Sequence, residues 1–584
     1  QYLDGFAAGM NRYAAERGDK LKEDFKVVLP VTGVDVLAHV QRVIQFHFLT
    51  NPQQLQTSSQ SGSNAWAISP DYSTGQNALL LANPHLPWGD LFLFYESHLH
   101  TPNFNAYGAA LVGMPTLAIA FNDHLGWTAT VNPLIGATRY QLTLAEGGYL
   151  FDGEVRPFET TVEPLKVKQA DGSYRTEELT IQQSVHGVVI DQQEKSAIAL
   201  RITGLDRPNL PEQFLQMAAA KNWQEFETAL SRLQLPMFNI LYADNAGNIA
   251  YIYNGLIPVK KDGSWQDWLQ PIPGDTSATL WTEYHAYQDL PRLLNPTTGW
   301  LQNTNDPPWT STFPPVLQSS DFPDYFAPQG LDPKITAFRT QRSIKMLQDA
   351  EKMSFEQMVE NKFSSYLEMT DHVLDDLINA AKASDEPIVQ QAATVLANWD
   401  RQATPNSKGT PLFFLWSQLM AGENLFATPW DANQSLTTPH TLANPETAIT
   451  QLQKAALQLK NTYDTIAVEW SQYAKLNYRN QQKPGTGASG RLGSFQVIEY
   501  QPVSQNNLDH QLQSVAGDSY IAALELSDPI RAKVLNTYGN ATQPHSAHVG
   551  DQLSLYAKGE MRDAWFTRTE IEANLADHMV LEDN

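Results

Sequence analysis

The chain has 584 residues, 42% of them hydrophobic and 17% charged, which excludes wholesale disorder and calls for two or more packed layers. With 63 acidic against 39 basic residues its net charge is -24, so neither nucleic acid nor an anionic membrane surface is an expected partner. It contains no cysteine, which removes disulfides and thiolate chemistry and leaves Ser, Thr, Lys or a carboxylate for covalent catalysis.

Residues 1–50 read as helix, with Leu37, Val40, Ile44 and Phe48 at three- and four-residue steps. No basic-then-apolar leader precedes them, so no targeting signal is visible. Residues 51–62 read as a polar linker of Gln, Ser, Thr and Gly. From Ser63 to about Ile257 the pattern changes to short strands separated by Asn, Gly and Asp turns, with a hairpin at Asn245 to Asn248. The longest apolar stretch, Ala109 to Phe121, is interrupted by Gly113, Pro115 and Thr116 and is too short to span a bilayer.

Residues 338–380 and 387–400 turn helical again. A longer helix opens at Asn444-Pro445-Glu446, a cap followed by proline at the first helical position. Its apolar face is Ile449, Leu452, Ala456, Leu459, Tyr463, Ile466 and Trp470. Gln481 to Gly490 reads as a loop, with two or three strands and a final helix after it. Strands flanked by helices on both sides predict a layered α+β fold, not alternating βαβ units.

The 14 histidines form no HExxH and no tight His/Asp cluster, and the glycines of "GTGASG" follow no strand. Neither a catalytic zinc nor a phosphate cradle is supported. The stretch "SQSGSNAWAI", Ser59 to Ile68, is more pointed, because a strand begins abruptly on a serine after a glycine. If the Gly62–Ser63 bond is cut, Ser63 gains a free α-amine beside its own hydroxyl. An α-amine has a pKa near 7.7–8.0 and can act as a base at neutral pH, where a lysine cannot. The hydroxyl is then activated from within the same residue, and no separate triad base is needed.

The ordered motifs "GSNAWAI", "ALLLANPHLPW", "FNDHLGWTATVN" and "QNTNDPPW" resemble the penicillin acylase family of N-terminal nucleophile hydrolases. "GDSYIAALELSDPIRAKVLNTYGNATQPHSAHVGDQL" and "RDAWFTRTEIEANL" resemble its acyl-homoserine-lactone and aculeacin acylase branch. The resemblance implies a four-layer αββα sandwich with an additional helical region at about 338–480. It also implies that residues 1–50 are the C-terminal part of a longer α chain, 51–62 a spacer cut on maturation, and 63–584 the β chain. The two chains would stay together as a heterodimer, periplasmic or secreted, with no cofactor.

Site roles follow from the same resemblance. Ser63 matches the nucleophile exposed by autocatalytic cleavage, and His85 the histidine that orients it. Val131 matches the residue whose backbone N–H forms half of the oxyanion hole, and Asn305 the asparagine that completes it. Arg339 matches the arginine holding that asparagine, with Arg342 close enough in register to compete. Pre-aimed N–H donors stabilise the tetrahedral intermediate's negative oxygen, and an asparagine amide donates without titrating. Where the penicillin G branch holds calcium with acids after the oxyanion residue, Val131 to Thr138 contains no carboxylate, so no metal is expected there.

Leu86 and Trp88 follow His85 in an apolar run and are expected to flank an acyl pocket. The implied reaction is amide hydrolysis of a small N-acyl substrate, first an N-acyl-homoserine lactone. The alternatives are a β-lactam or lipopeptide acylase with the same machinery, and an unprocessed ligand-binding member of the fold.

Overall fold

The computed structural model describes residues 1–50, 62–502 and 511–580, so the linker lies, apart from Gly62, outside the described residues. The strand Gly62–Ile68 runs antiparallel between Leu79–Pro87 and Trp300–Asn303. All three belong to a ten-stranded sheet, in which Leu79–Pro87 also pairs with Tyr520–Glu525 at its start and with Leu512–Asp518 at its end. A seven-stranded antiparallel sheet carries Asn239–Asp244 between Leu125–Thr130 and Ile249–Tyr253.

Strand alternation explains how these sheets stack. Ala65 and Ala67 point into the core between the sheets, with Leu80, Ala82 and Leu241, whereas Trp66 and Ile68 point the other way into a helical layer. Small residues let the sheets approach. A Cβ on Gly126 would lie 2.6 Å from a methyl of Leu524 on the facing sheet, so glycine lets that methyl approach without a shift.

Helices close both outer faces. Ala337–Asp349 buries Phe338, Ile344 and Leu347 against the ten-stranded sheet, and Ser343 Oγ accepts a 2.8 Å bond from Trp66 Nε1. On the far side, Leu210–Ala219 and Trp223–Leu230 cover the seven-stranded sheet, where the Phe226 ring packs on Trp127 and Tyr242. The order of layers is αββα. Further helices, Phe355–Lys362, Thr370–Lys382, Pro387–Ala397, Thr410–Leu419 and Pro445–Tyr463, extend the first helical layer. A third sheet, built on Ala137–Ala145 and ending in the hairpin Glu159–Lys168 with Tyr174–Ser184, lies at the side. No helix among the described residues is long and apolar enough to cross a membrane.

Several local expectations need correction. The region read as strands down to Ile257 contains the two helices at 210–230, whose apolar row Leu210, Phe214, Met217 and Ala218 has helical spacing. The helix from Pro445 ends at Tyr463 because Asp464 turns left-handed at φ 59°, so Ile466 and Trp470 lie beyond it and Trp470 opens a separate short helix. Part of the expected loop after Gln481 is a strand, Gln481–Pro484, paired with Ala474–Tyr478. Residues 1–50 hold two longer helices, Tyr2–Glu16 and Gly33–Val43, and a π-helical turn at Ile44–Leu49.

Candidate active site

The strand register sets the site. Gly62 stands opposite His85 and Ser63 opposite Pro84, so the histidine and the Gly62–Ser63 bond meet at one end of the sandwich. Ser63 is buried, and its Oγ donates 2.5 Å to the Gly62 carbonyl. Its main-chain N–H donates 2.7 Å to Asn305 Oδ1, and its carbonyl accepts 2.7 Å from Arg339 Nη1. The nucleophile candidate is therefore held by its backbone as well as its side chain.

Asn305 follows the strand Trp300–Asn303 in a left-handed conformation, φ 73°. Its Oδ1 accepts from both Ser63 N–H and Arg339 Nη2, the latter at 2.8 Å. Its Nδ2 donates 2.8 Å to the Val131 carbonyl. An amide nitrogen carries two hydrogens, so one bond ties Asn305 to the Val131 backbone and a second N–H remains for an incoming oxygen.

Arg339, on the helix Ala337–Asp349, donates to three uncharged oxygens: Ser63 O, Asn305 Oδ1 and, at 2.8 Å, Asn64 Oδ1. It makes no ion pair with a carboxylate among the described residues. Burial lowers its pKa to about 10, while Asp306, Glu499 and Asp518 at longer range push back, so it stays charged at neutral pH. Gly490 lets it in, since a Cβ there would lie 2.9 Å from Arg339 Nε. Arg342 points elsewhere: it donates to Ser364 Oγ and lies over the Tyr366 ring. Of the two arginines in register, Arg339 is the one that meets Ser63 and Asn305.

His85 is buried, with Nε2 2.9 Å from Asn83 Oδ1 and 3.1 Å from Asp518 Oδ1. Two oxygens facing Nε2 demand that this nitrogen carry the proton, which leaves a lone pair on Nδ1. Nδ1 has no other partner among the described residues and lies 3.5 Å from where a Gly62 Cβ would sit. Any side chain at 62 would also come within 3.1 Å of Asn305 Oδ1, so glycine keeps the space beside the Gly62–Ser63 bond clear. Burial lowers the His85 pKa to about 4 even though Asp518 opposes the shift, so the ring is neutral at pH 7 and its Nδ1 can accept a proton.

Sequence reading missed the groups behind His85. Asp518, fully buried, accepts 2.6 Å from Lys362 Nζ and 2.8 Å from the Tyr556 hydroxyl. Burial alone would raise the Asp518 pKa; Lys362 and His85 overcome this and hold it below the ordinary carboxylate value. Asp518 sits inside the quoted "GDSYIAALEL" motif, which was the available signal. Lys362 ends a helix with no motif around it.

These groups open onto a cavity of about 2060 Å³, whose wall includes Gly62, His85, Val131, Asn305 and Arg339. Phe48, Leu49, Leu134, Ile135, Met237 and Trp265 give it an apolar side. Leu86 and Trp88 are not part of this wall. Alternation turns Leu86 to the face opposite His85, into the core between the sheets, and Trp88 packs on Tyr538 while its indole donates to the Asp518 carbonyl. No cluster of three or more His, Asp or Glu suited to a metal ion occurs among the described residues.

The sequence model of the penicillin amidase family matches residues 1–573. The chain is 25% identical to the acyl-homoserine lactone acylase PvdQ of Pseudomonas fluorescens strain Pf0-1, over 98% of this chain and 81% of that protein. It is 24% identical to the aculeacin-A acylase of Actinoplanes utahensis, over 89% and 70% of the two chains. A thermostable penicillin G acylase from Alcaligenes faecalis shares the fold, with a TM-score of 0.65 at 19% identity over 89% of this chain and all of that one.

Proposed function

Because this chain belongs to the penicillin amidase family and is an amidohydrolase, we propose that it cleaves N-acyl substrates through an acyl-enzyme on Ser63, N-acyl-homoserine lactones first among them. The single observation that carries the reading is the set of contacts on Ser63. Its N–H, carbonyl and hydroxyl are all engaged beside the Gly62 carbonyl, where Arg339, Asn305 and neutral His85 converge at a cavity wall.

Maturation comes first. Ser63 Oγ attacks the Gly62 carbonyl carbon, its proton passes to the departing Ser63 nitrogen, and an ester replaces the amide. Water then hydrolyses the ester, freeing the hydroxyl and an α-amine. In turnover the α-amine takes the Oγ proton, Oγ attacks the substrate amide, and the Val131 N–H and the remaining Asn305 N–H receive the oxyanion. The proton goes to the leaving amine, and water releases the acid. The two chains remain associated as an αβ heterodimer in a periplasmic or secreted setting.

A second reading has its own support. The cavity exceeds the roughly 300–1,000 Å³ of common small-ligand sites, which favours a larger N-acyl substrate, and one relative is named an aculeacin-A acylase. The test is N-terminal sequencing and intact mass of purified protein, then kcat/KM on an acyl-homoserine-lactone series beside penicillin G and a lipopeptide. We expect a chain starting at Ser63 in active wild type and an uncut precursor in Ser63→Ala. An intact Gly62–Ser63 bond in wild type that turns over nothing would make this an unprocessed binding protein.

A further inference from the structure

Val131 and Asn305 come from opposite sheets, yet an oxyanion site needs their separation held to a fraction of an ångström. One buried side chain bridges them. Asn303 ends the strand Trp300–Asn303, stands opposite Ala65 in the register, and forms no part of the cavity wall. Its Oδ1 accepts three bonds: from Thr130 Oγ1 at 2.5 Å, Asn239 Nδ2 at 3.0 Å and the Asn305 main-chain N–H at 2.8 Å. Thr130 immediately precedes Val131 and pairs with Asn239 across the seven-stranded sheet. A single oxygen thus gathers donors from the seven-stranded sheet and from the turn that bears Asn305.

The rest of the network fixes the direction of each donor. Tyr251 donates 2.7 Å to Asn239 Oδ1, which turns the Asn239 amide nitrogen toward Asn303. Asn303 Nδ2 donates 3.1 Å to the Asp306 carbonyl and closes the turn on its other side. The bond from the Asn305 N–H to a side-chain oxygen two residues back is an Asx-turn, and it supports the left-handed backbone of Asn305. Aspartate would lose the Nδ2 donor, and an apolar residue would take this acceptor from Thr130 Oγ1 and the Asn305 N–H and leave Asn239 Nδ2 only its 3.1 Å bond to Thr130 Oγ1.

We propose that Asn303 is a positioning residue that sets the spacing between the Val131 N–H and the Asn305 amide, a role that rests on the amide-hydrolysis reading above. The experiment compares wild type, Asn303→Ala and Thr130→Val, each matured at Ser63, on a chromogenic N-acyl anilide, with kcat and KM measured separately. The expected result is a kcat loss of roughly 10²-fold for Asn303→Ala and about tenfold for Thr130→Val, with KM within about threefold. A merely structural role would lower the folded fraction and leave kcat per folded active site alone. An unchanged kcat in either variant, or a loss confined to KM, overturns the proposal. If Asn303→Ala does not fold, Thr130→Val decides alone. A wild-type protein that stays uncut and hydrolyses nothing instead fails the amide-hydrolysis reading, and the role of Asn303 falls with it.

Discussion

At the scale of single residues, Ser63 is held by an amide and a guanidinium, with neutral His85 and the buried Asp518–Lys362 pair beside them. Asn305 accepts through Oδ1 and donates through Nδ2, so it can be locked by Arg339 on one end while offering an N–H on the other. On the proposed reading, replacing it with alanine removes one oxyanion donor, and with it the acceptor for the Ser63 N–H and Arg339 Nη2. Asn305→Ala is expected to cost about 2.7–4 kcal/mol in the barrier, a kcat loss of roughly 10²–10³, with little change in KM. Steady-state kinetics on an anilide reporter checks this, and a near-wild-type kcat would remove Asn305 from the chemistry. Arg339 is a different kind of residue. Its fork reaches three oxygens on three residues, a geometry that a lysine's single ammonium cannot copy.

At the scale of elements, the outcome of sequence reading depended on whether the deciding contact was local. The strand at Gly62 and the Asn444-Pro445 helix start were legible because caps, turns and alternation lie within a few residues. Asn444 does cap its helix, accepting from the Thr447 N–H. The apolar spacing that seemed to carry the helix on to Trp470 was real, but one left-handed residue, Asp464, broke the element without breaking the pattern. Leu86 does not share the direction of His85, because neighbours on a strand face opposite ways, and Trp88 lies just past the strand's end and packs on Tyr538. Lys362 and Asp518, 156 residues apart, meet only in the fold, and no local pattern announces such a pair.

The side sheet gives an element-scale prediction. His186, in the turn between Tyr174–Ser184 and Gly187–Gln192, is buried with its ring 4.4 Å from that of Tyr140 and close to Tyr149 and Phe151. Burial first, then Arg201 and Arg156, lowers its pKa from 6.5 to about 4. The folded state therefore resists a proton that the unfolded chain accepts. This contribution to stability is fully present above pH 6.5 and is lost as pH falls toward 4, by roughly 3 kcal/mol. His85 behaves in the same direction. His186→Phe, which keeps an aromatic ring and removes the titration, should flatten the fall in stability between pH 6.5 and 4. Urea unfolding at pH 7 and pH 4.5 measures it, and parallel losses in both proteins would show that His186 does not set the acid limit.

At the scale of the whole molecule, one cavity reaches Gly62 beside Ser63 and is lined by residues at the ends of both sheets and by the helical layer, and its size makes substrate choice a question of which wall the acyl chain meets. The apolar side, with Leu134, Ile135 and Met237, lies next to Val131 in sequence or in space and is the natural place for a hydrocarbon tail. Each buried methylene contributes about 0.8 kcal/mol, so shortening the pocket by two carbons costs long-chain substrates about 1.6 kcal/mol, more than tenfold in kcat/KM. Leu134 is buried on the cavity wall against Gly255, where a Cβ would lie 2.8 Å from its Cδ2, so a larger side chain has no room on that side and takes up cavity space. Leu134→Trp should therefore leave short acyl chains nearly unaffected while cutting kcat/KM for long ones at least tenfold. The series of acyl-homoserine lactones from short to long separates the cases. A uniform loss across the series would mean that the acyl chain lies along another wall, and that the apolar residues beside Val131 serve packing alone.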